Sequence, residues 1–433
     1  DSIDSNNNNE MTEPLSEDNL SETLEHSPTT LTNQRTSGRK RIPNTKFSQP
    51  EWINEAEWQA AYHVSVRQAL LGQYGEQTKQ AIIDEIKNML DYRVGYYIKF
   101  NQIPKKFRHK NIIRAFMFIK HKVKPDGKYD RTKARLVGNG SQQHVKLYDM
   151  ISSSTVSIAS VFVLLNIATY FKAHIAVMDI KGAFLHAQVP ESSEPIYLLV
   201  DTQTSSYWTK IDPTATEFLN EKGELILRLD KFIYGLKQSP LMFQRHLSGV
   251  LKDLGYQQCQ NDECVFYKHI NGNYSILSTH VDDVLQTTSD SALIEELRVK
   301  LTEIYQAIDI NINPDSYLGM NIKRNATGDE ITVNHLGKIE ELCNKFLHPD
   351  TPISEYPASG DGLFKDKDEP VLTEDKLKMY LSLTMSLMYI ARLTRPDTLL
   401  PVAYLASRSH IANPTDFKKL LKVLRYLKGT KTL

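Results

Sequence analysis

The stretch Cys264-Val265-Phe266-Tyr267-Lys268, then Asn271-Gly272-Asn273, then Tyr274-Ser275-Ile276-Leu277-Ser278-Thr279-His280-Val281-Asp282-Asp283 decides the reading of this chain. Two runs rich in β-branched and aromatic residues flank an Asn-Gly turn. That is a strong hairpin signal, because Asn and Gly tolerate the positive φ that a tight two-residue turn demands. The second strand, Tyr274 to Val281, carries the carboxylate pair Asp282-Asp283 at or beside its end.

Working outward, Ser157 to Phe171 has the apolar spacing of a helix, and Ile175 to Ile180 reads as a short buried strand with Asp179 near its end. Pro240 to Leu254 is a second helix, opened by proline and closed at Gly255. Beyond the hairpin a helix is predicted around Ala292 to Ile304 and a further hairpin from Tyr317 to Val333. Helices follow at Leu336 to Phe346, Lys376 to Leu393 and Pro414 to Leu427, with a loop or linker from Pro349 to Pro370.

Upstream, Pro104 to Arg135 holds twelve Lys and Arg residues against Asp126 and Asp130, a local excess of ten. Ile112 to Lys124 interleaves these charges with apolar residues as a strand would, and Pro125-Asp126-Gly127 turns the chain into a second strand. A basic hairpin laid against a polyanion fits this pattern better than a solvated face does. The first 34 residues are acidic, rich in Ser, Thr and Asn, and read as a disordered tail. The cluster Arg35, Arg39, Lys40 and Arg41 reads as a solvated linker or a nucleic-acid or import patch, with order expected to begin near Pro50.

Whole-chain properties narrow the field. Lys plus Arg equal Asp plus Glu at 52 each, which argues against an indiscriminate polyanion binder. Three cysteines without a Cys-x-x-Cys spacing suggest neither a disulfide framework nor a zinc knuckle. The longest apolar run, Val161 to Phe171, is interrupted by Asn166, and no signal peptide opens the chain, so no membrane partner and a cytoplasmic location are expected.

Nucleotidyl transfer uses two divalent cations held by clustered oxygen ligands, and aspartates on adjacent strands supply them. Alone, Asp179 could equally be a solvated strand cap and Asp282-Asp283 an ordinary turn. Their surroundings matter more. Val177-Met178-Asp179-Ile180-Lys181-Gly182-Ala183-Phe184-Leu185-His186 and Val281-Asp282-Asp283 resemble the two catalytic motifs of copia-type (Pseudoviridae) LTR-retrotransposon reverse transcriptases. Tyr234-Gly235-Leu236-Lys237-Gln238-Ser239-Pro240 lies between them and is similar to another family signature. So are Asp126-Gly127 with Arg131 to Val137, Tyr317-Leu318-Gly319, Thr394-Arg395-Pro396-Asp397 and Leu424 to Thr430, all in family order.

The resemblance implies an α+β, right-hand polymerase fold with fingers, a palm built on an antiparallel sheet, and a helical thumb and connection. It divides the chain into a tail to residue 49, fingers and palm over 50–315, and thumb and connection over 316–433, with no RNase H domain. It implies RNA-directed DNA polymerase activity with two magnesium ions, manganese substituting, on RNA template, DNA primer and deoxynucleoside triphosphate. A homodimer, a virus-like particle in the cytoplasm or nucleus, and a parent polyprotein also come with it.

Position by position, Asp179, Asp282 and the Ile180 carbonyl would ligate metal, with Asp283 completing the carboxylates. Lys133 and Arg135 would neutralise the triphosphate. Ala183 and Phe184 would lie under the incoming sugar, Phe184 as a gate against a 2′-hydroxyl or simply as a core aromatic. Tyr234 and Lys237 would sit near the nascent base pair. His280, Leu318 and Gly319 would meet primer and template, the last two unless they only form a hairpin.

The chain departs from the family at His280, where Tyr or Phe is usual, at Gly138-Asn139-Gly140, where a basic residue is common, and over Met150 to Ala159. An inactive or domesticated nucleic-acid-binding remnant is therefore the alternative. A magnesium phosphotransferase of another kind would need a Gly-rich phosphate loop, and none is present.

Overall fold

A computed structural model describes residues 65–123, 129–148, 150–365 and 367–433. The acidic tail, the Arg35 to Arg41 cluster, the onset of order at Pro50 and the Pro125-Asp126-Gly127 turn lie outside them. All described residues belong to one compact unit, Glu55–Leu433.

Helix α1 (Val66–Leu71) opens at Ser65, whose hydroxyl and Gln68 form a capping box. Helix α2 (Gly75–Asp91) buries Thr78, Ile82, Ile86 and Met89 along one stripe. Strands β1 (Gly95–Tyr97), β2 (Ile112–Val123) and β3 (Tyr129–Gly138) follow. The predicted basic hairpin is β2 paired antiparallel with β3. Along β2, Ile113, Ala115, Met117 and Ile119 are buried and the residues between them face outward, so the period of two separates core from charge.

Helix α3 (Ile158–Tyr170) is capped by Ser157 and leads into β4 (His174–Ile180). Strand β5 (Tyr197–Val200), helix α4 (Thr202–Ile211) and β6 (Leu225–Leu229) return to the first sheet, whose order is β1-β6-β5-β2-β3. Only β2 and β5 run parallel, and β3 is an edge.

The second sheet contains the hairpin. Helix α5 (Ser239–Asp253) precedes β7 (Gln257–Gln258), β8 (Val265–Ile270), β9 (Asn273–His280), β10 (Asp283–Thr288), helix α6 (Ala292–Tyr305) and β11 (Ile308–Ile312). Its order is β11-β4-β10-β9-β8-β7, all antiparallel. The β8–β9 turn has positive φ at Asn271 and Gly272, as its sequence requires. The carboxylate pair differs from expectation: β9 stops at His280, Val281-Asp282 form the turn, and Asp283 opens β10. Strand β10 lacks alternation because Val284 to Thr288 are all buried.

Strands β12 (Ser316–Tyr317), β13 (Met320–Arg324) and β14 (Ile331–Asn334) form a small sheet. Helices α7 (Leu336–Phe346), α8 (Glu374–Leu393), α9 (Leu399–Ser407) and α10 (Pro414–Gly429) then enclose their own core around Leu383, Leu387, Leu405, Leu420 and Leu424. Two of the sequence blocks meet here. Arg395 is buried, binds Asp397 through Nε at 3.0 Å and Nη2 at 2.6 Å, and donates to the Thr430 carbonyl at 2.9 Å, while the Tyr426 hydroxyl donates to Asp397 at 2.8 Å. These contacts hold the helical bundle together.

Candidate active site

The two-residue turn between β9 and β10 places the carboxylates. Val281 has φ +58°, the sign that glycine supplies in a type II′ turn. A β-branched residue there stores about 1–3 kcal/mol of strain. The turn is held by the Ile180 amide, which donates to the Asp282 carbonyl at 3.0 Å.

In register, Asp283 of β10 stands opposite Asp179 of β4, and Asp179 stands opposite Asp309 of β11. Residues directly opposed in a sheet share a face. Three carboxylates therefore line up across three strands, an arrangement that like charges disfavour. Lys181, just past the end of β4, answers it: its ammonium is 3.0 Å from Asp179 and also contacts Asp309. Asp309 escaped the sequence reading, although its Ile-Asp-Ile-Asn-Ile alternation is a strand signal.

Burial pushes the Asp282 carboxyl above the usual carboxylate range, and the charge of Asp179 adds to this while Arg135 and Lys133 oppose it. Asp283 rises to about 6, through burial first and then through Asp282 and Asp179. Neutral carboxylic acids are poor magnesium ligands, so the excess negative charge seeks a cation. Burial lowers His280, which keeps its imidazole neutral near pH 7, and its buried Nδ1 has no hydrogen-bond partner among the described residues.

Strand β3 brings the cations. The charges of Lys133 and Arg135 favour the ionised form of Asp282. The Arg135 guanidinium lies 4.8 Å from the Tyr234 ring centre, and Tyr234 meets the Phe184 ring edge-on at 5.1 Å. Phe184 also packs on Phe243 at 6.3 Å. The departure at Gly138-Asn139-Gly140 has a steric reason: a Cβ at Gly140 would stand 2.3 Å from the Gly235 carbonyl oxygen, and one at Gly235 2.3 Å from that of Gly138.

Other expected residues fall differently. Ala183 is buried, so its side chain belongs to the core. Lys237 turns its ammonium to the Tyr148 hydroxyl at 2.8 Å and over that ring. Leu318 and Gly319 form the β12–β13 turn with φ +48° and +77°, and the Tyr389 hydroxyl of α8 donates to the Leu318 carbonyl at 2.6 Å. The turn lies near the site, because Asp283 acts on the adjacent Tyr317. His186, brought down to about 4 chiefly by burial, meets the Lys181 carbonyl at 3.1 Å through Nε2, and Tyr92 donates to the same oxygen at 3.3 Å.

Among the described residues no three acidic, imidazole or thiol side chains converge closely enough to share an ion as they stand. The donor chemistry nevertheless fits hard divalent cations: Asp179 and Asp283 stand opposite each other on adjacent strands, Asp282 lies in the turn beside them, and all three are oxygen donors. Asp179 would exchange Lys181 for metal.

Residues 98–348, more than half of the chain, match the family described as Reverse transcriptase (RNA-dependent DNA polymerase). The chain belongs to this family. The seven-block resemblance to copia-type retrotransposon reverse transcriptases agrees with it. The chain is similar to the retrovirus-related Pol polyprotein from transposon TNT 1-94 of Nicotiana tabacum, at 27% identity over 92% of this chain and 28% of that protein. It is 26% identical to the Pol polyprotein from transposon RE2 of Arabidopsis thaliana over 90% of this chain and 24% of that protein. This reverse transcriptase chain thus spans about a quarter of the length of these relatives. A solved foamy viral protease-reverse transcriptase in complex with ds DNA aligns with TM-score 0.35 and 14% identity, over 88% of this chain and 62% of that one. No helix among the described residues is long and apolar enough to cross a membrane.

Proposed function

We propose that this reverse transcriptase chain is the RNA-directed DNA polymerase of an LTR retrotransposon, extending a DNA primer on an RNA template with deoxynucleoside triphosphates. The observation that carries this reading is the register that sets Asp179 opposite Asp283 beside the Asp282 turn, with the charges of Lys133 and Arg135 acting on Asp282. In this assignment the first sheet with α1 and α2 is the fingers, the six-stranded sheet the palm, and residues 316–433 the thumb and connection.

Two magnesium ions, when bound, would lower the pKa of the primer 3′-hydroxyl and offset charge on the triphosphate. Asp179, Asp282, Asp283 and the Ile180 carbonyl would hold them. Lys133 and Arg135 would orient the triphosphate by charge-assisted hydrogen bonds. Tyr234 and Phe184 would form the floor beneath the incoming nucleotide. His280 and the Leu318-Gly319 turn would support the primer. A particle in the cytoplasm is the setting that suits this chemistry.

The second reading, a non-catalytic nucleic-acid-binding remnant, has the Lys181–Asp179 ion pair in its favour. Magnesium-dependent primer extension on an RNA template by the purified chain, beside Asp282→Asn, separates the two. Extension abolished by Asp282→Asn is expected. Template binding without extension by the parent chain would remove the polymerase reading.

A further inference from the structure

Beside the cationic strand stands an acid that the proposed chemistry does not use. Glu85 of α2 is largely removed from solvent, and its Oε1 accepts the Leu136 backbone N–H of β3 at 2.8 Å. Strand β3 is the free edge of its sheet, so this amide has no strand partner beyond β2, and the carboxyl group fills that role from a helix 51 positions away. Leu136 directly follows Arg135. Glu85 therefore grips the strand at the point from which the proposed triphosphate ligand projects.

The carboxylate also acts by charge. Burial raises the Glu85 carboxyl to about 7, while the Leu136 hydrogen bond and then Arg135 and Lys133 favour its ionised form, so its charge is fully present only in alkaline buffer; Glu85 in turn acts on Tyr234, the ring under the Arg135 guanidinium. Arg135 Nε is buried with no hydrogen-bond partner, so the guanidinium is not committed elsewhere through that nitrogen. A negative group held beside this strand subtracts from the potential that an incoming polyphosphate meets.

We propose that Glu85 is a positioning residue with two separable effects: its hydrogen bond to Leu136 holds Lys133 and Arg135 in place, and its charge restrains their affinity for the nucleotide triphosphate. This rests on the polymerase reading for the ligand class.

The two effects predict opposite outcomes for two near-isosteric changes. Glu85→Gln keeps an acceptor for the Leu136 N–H and removes the charge. Glu85→Asp keeps the charge and shortens the reach by one methylene. The experiment titrates a deoxynucleoside triphosphate into the protein bound to a dideoxy-terminated primer on an RNA template, in alkaline buffer with magnesium, so that binding is read without turnover. Thermal melts of each variant accompany it.

Glu85→Gln should lower the triphosphate Kd by about threefold or more, with a smaller gain for the monophosphate, since the effect scales with ligand charge. Glu85→Asp should raise the triphosphate Kd. A purely structural role would make both variants bind more weakly, in step with their melts. Unchanged or weaker triphosphate binding by a folded Glu85→Gln protein would overturn the inference. If the parent binds nucleotide but fails to extend an unblocked primer, the polymerase reading falls while the Glu85 comparison still stands; if the parent binds no nucleotide, both fall.

Discussion

Removing one catalytic-site carboxylate should make the metal-free protein more stable, by an amount set by pH. Asp283 rises from an ordinary 3.8 to about 6, chiefly through burial and then through Asp282 and Asp179. Between these two values the folded chain binds more protons at this position than the unfolded chain does, so stability falls as pH rises through the window. The interval corresponds to about 3 kcal/mol. Because the side chain is partly exposed, solvent screening reduces this to roughly 1–2 kcal/mol. Asp283→Asn keeps the shape and discards the charge. In EDTA near pH 8 it should be more stable than the parent by about that amount, and near pH 4 most of the difference should be gone. Urea denaturation of both proteins across this range measures it. Magnesium should then narrow the gap at pH 8, because a ligand that binds only the folded state stabilises the parent more than a variant lacking one oxygen donor. Parallel pH profiles for parent and variant, or a less stable variant at pH 8, would refute the account of Asp283 as a buried charge waiting for a cation.

Two further changes probe the same site. Lys181→Met frees Asp179 from an ion pair that is worth about 0.2–1 kcal/mol at such exposure, so Mn2+ binding followed by electron paramagnetic resonance should tighten by up to about fivefold; weaker binding would mean that Lys181 supports the site. Phe184→Ala should raise ribonucleotide incorporation relative to deoxynucleotide by roughly tenfold, the scale of one lost packing contact. Unchanged sugar selectivity with a lowered melting temperature would assign Phe184 to the core it shares with Tyr234 and Phe243.

Much of the second sheet was legible because its signals are local. The Asn271-Gly272 turn and the helices predicted from Ser157 and from Pro240 each depend on a few neighbouring residues; the turn lies where expected and the helices begin within a residue of their predicted starts. Strand β10 was missed because burial on both faces erases alternation, and α9 because nine residues with apolar character nearly all round show no face. The carboxylates were legible only through the blocks around them. Asp309 reaches Asp179 by a register fixed after helix α6 has turned the chain back, and Glu85 meets Leu136 only after β1 and β2 have intervened in the chain; no local pattern encodes either meeting.

What the sequence-level rules miss is also where they are broken together. Val281 occupies a backbone conformation suited to glycine, three aspartates stand in register where like charges repel, and Glu85 is a half-buried acid on the Leu136 amide beside two cations. Each feature alone costs on the order of 1–3 kcal/mol, and a fold selected only for stability would remove them one at a time. Their occurrence together, around residues that carry charge, is the pattern expected of a site kept for binding cations and polyanions. Relief of the costs by ligand then follows: a cation between Asp179 and Asp283 turns repulsion into coordination, and a triphosphate at Arg135 satisfies the guanidinium.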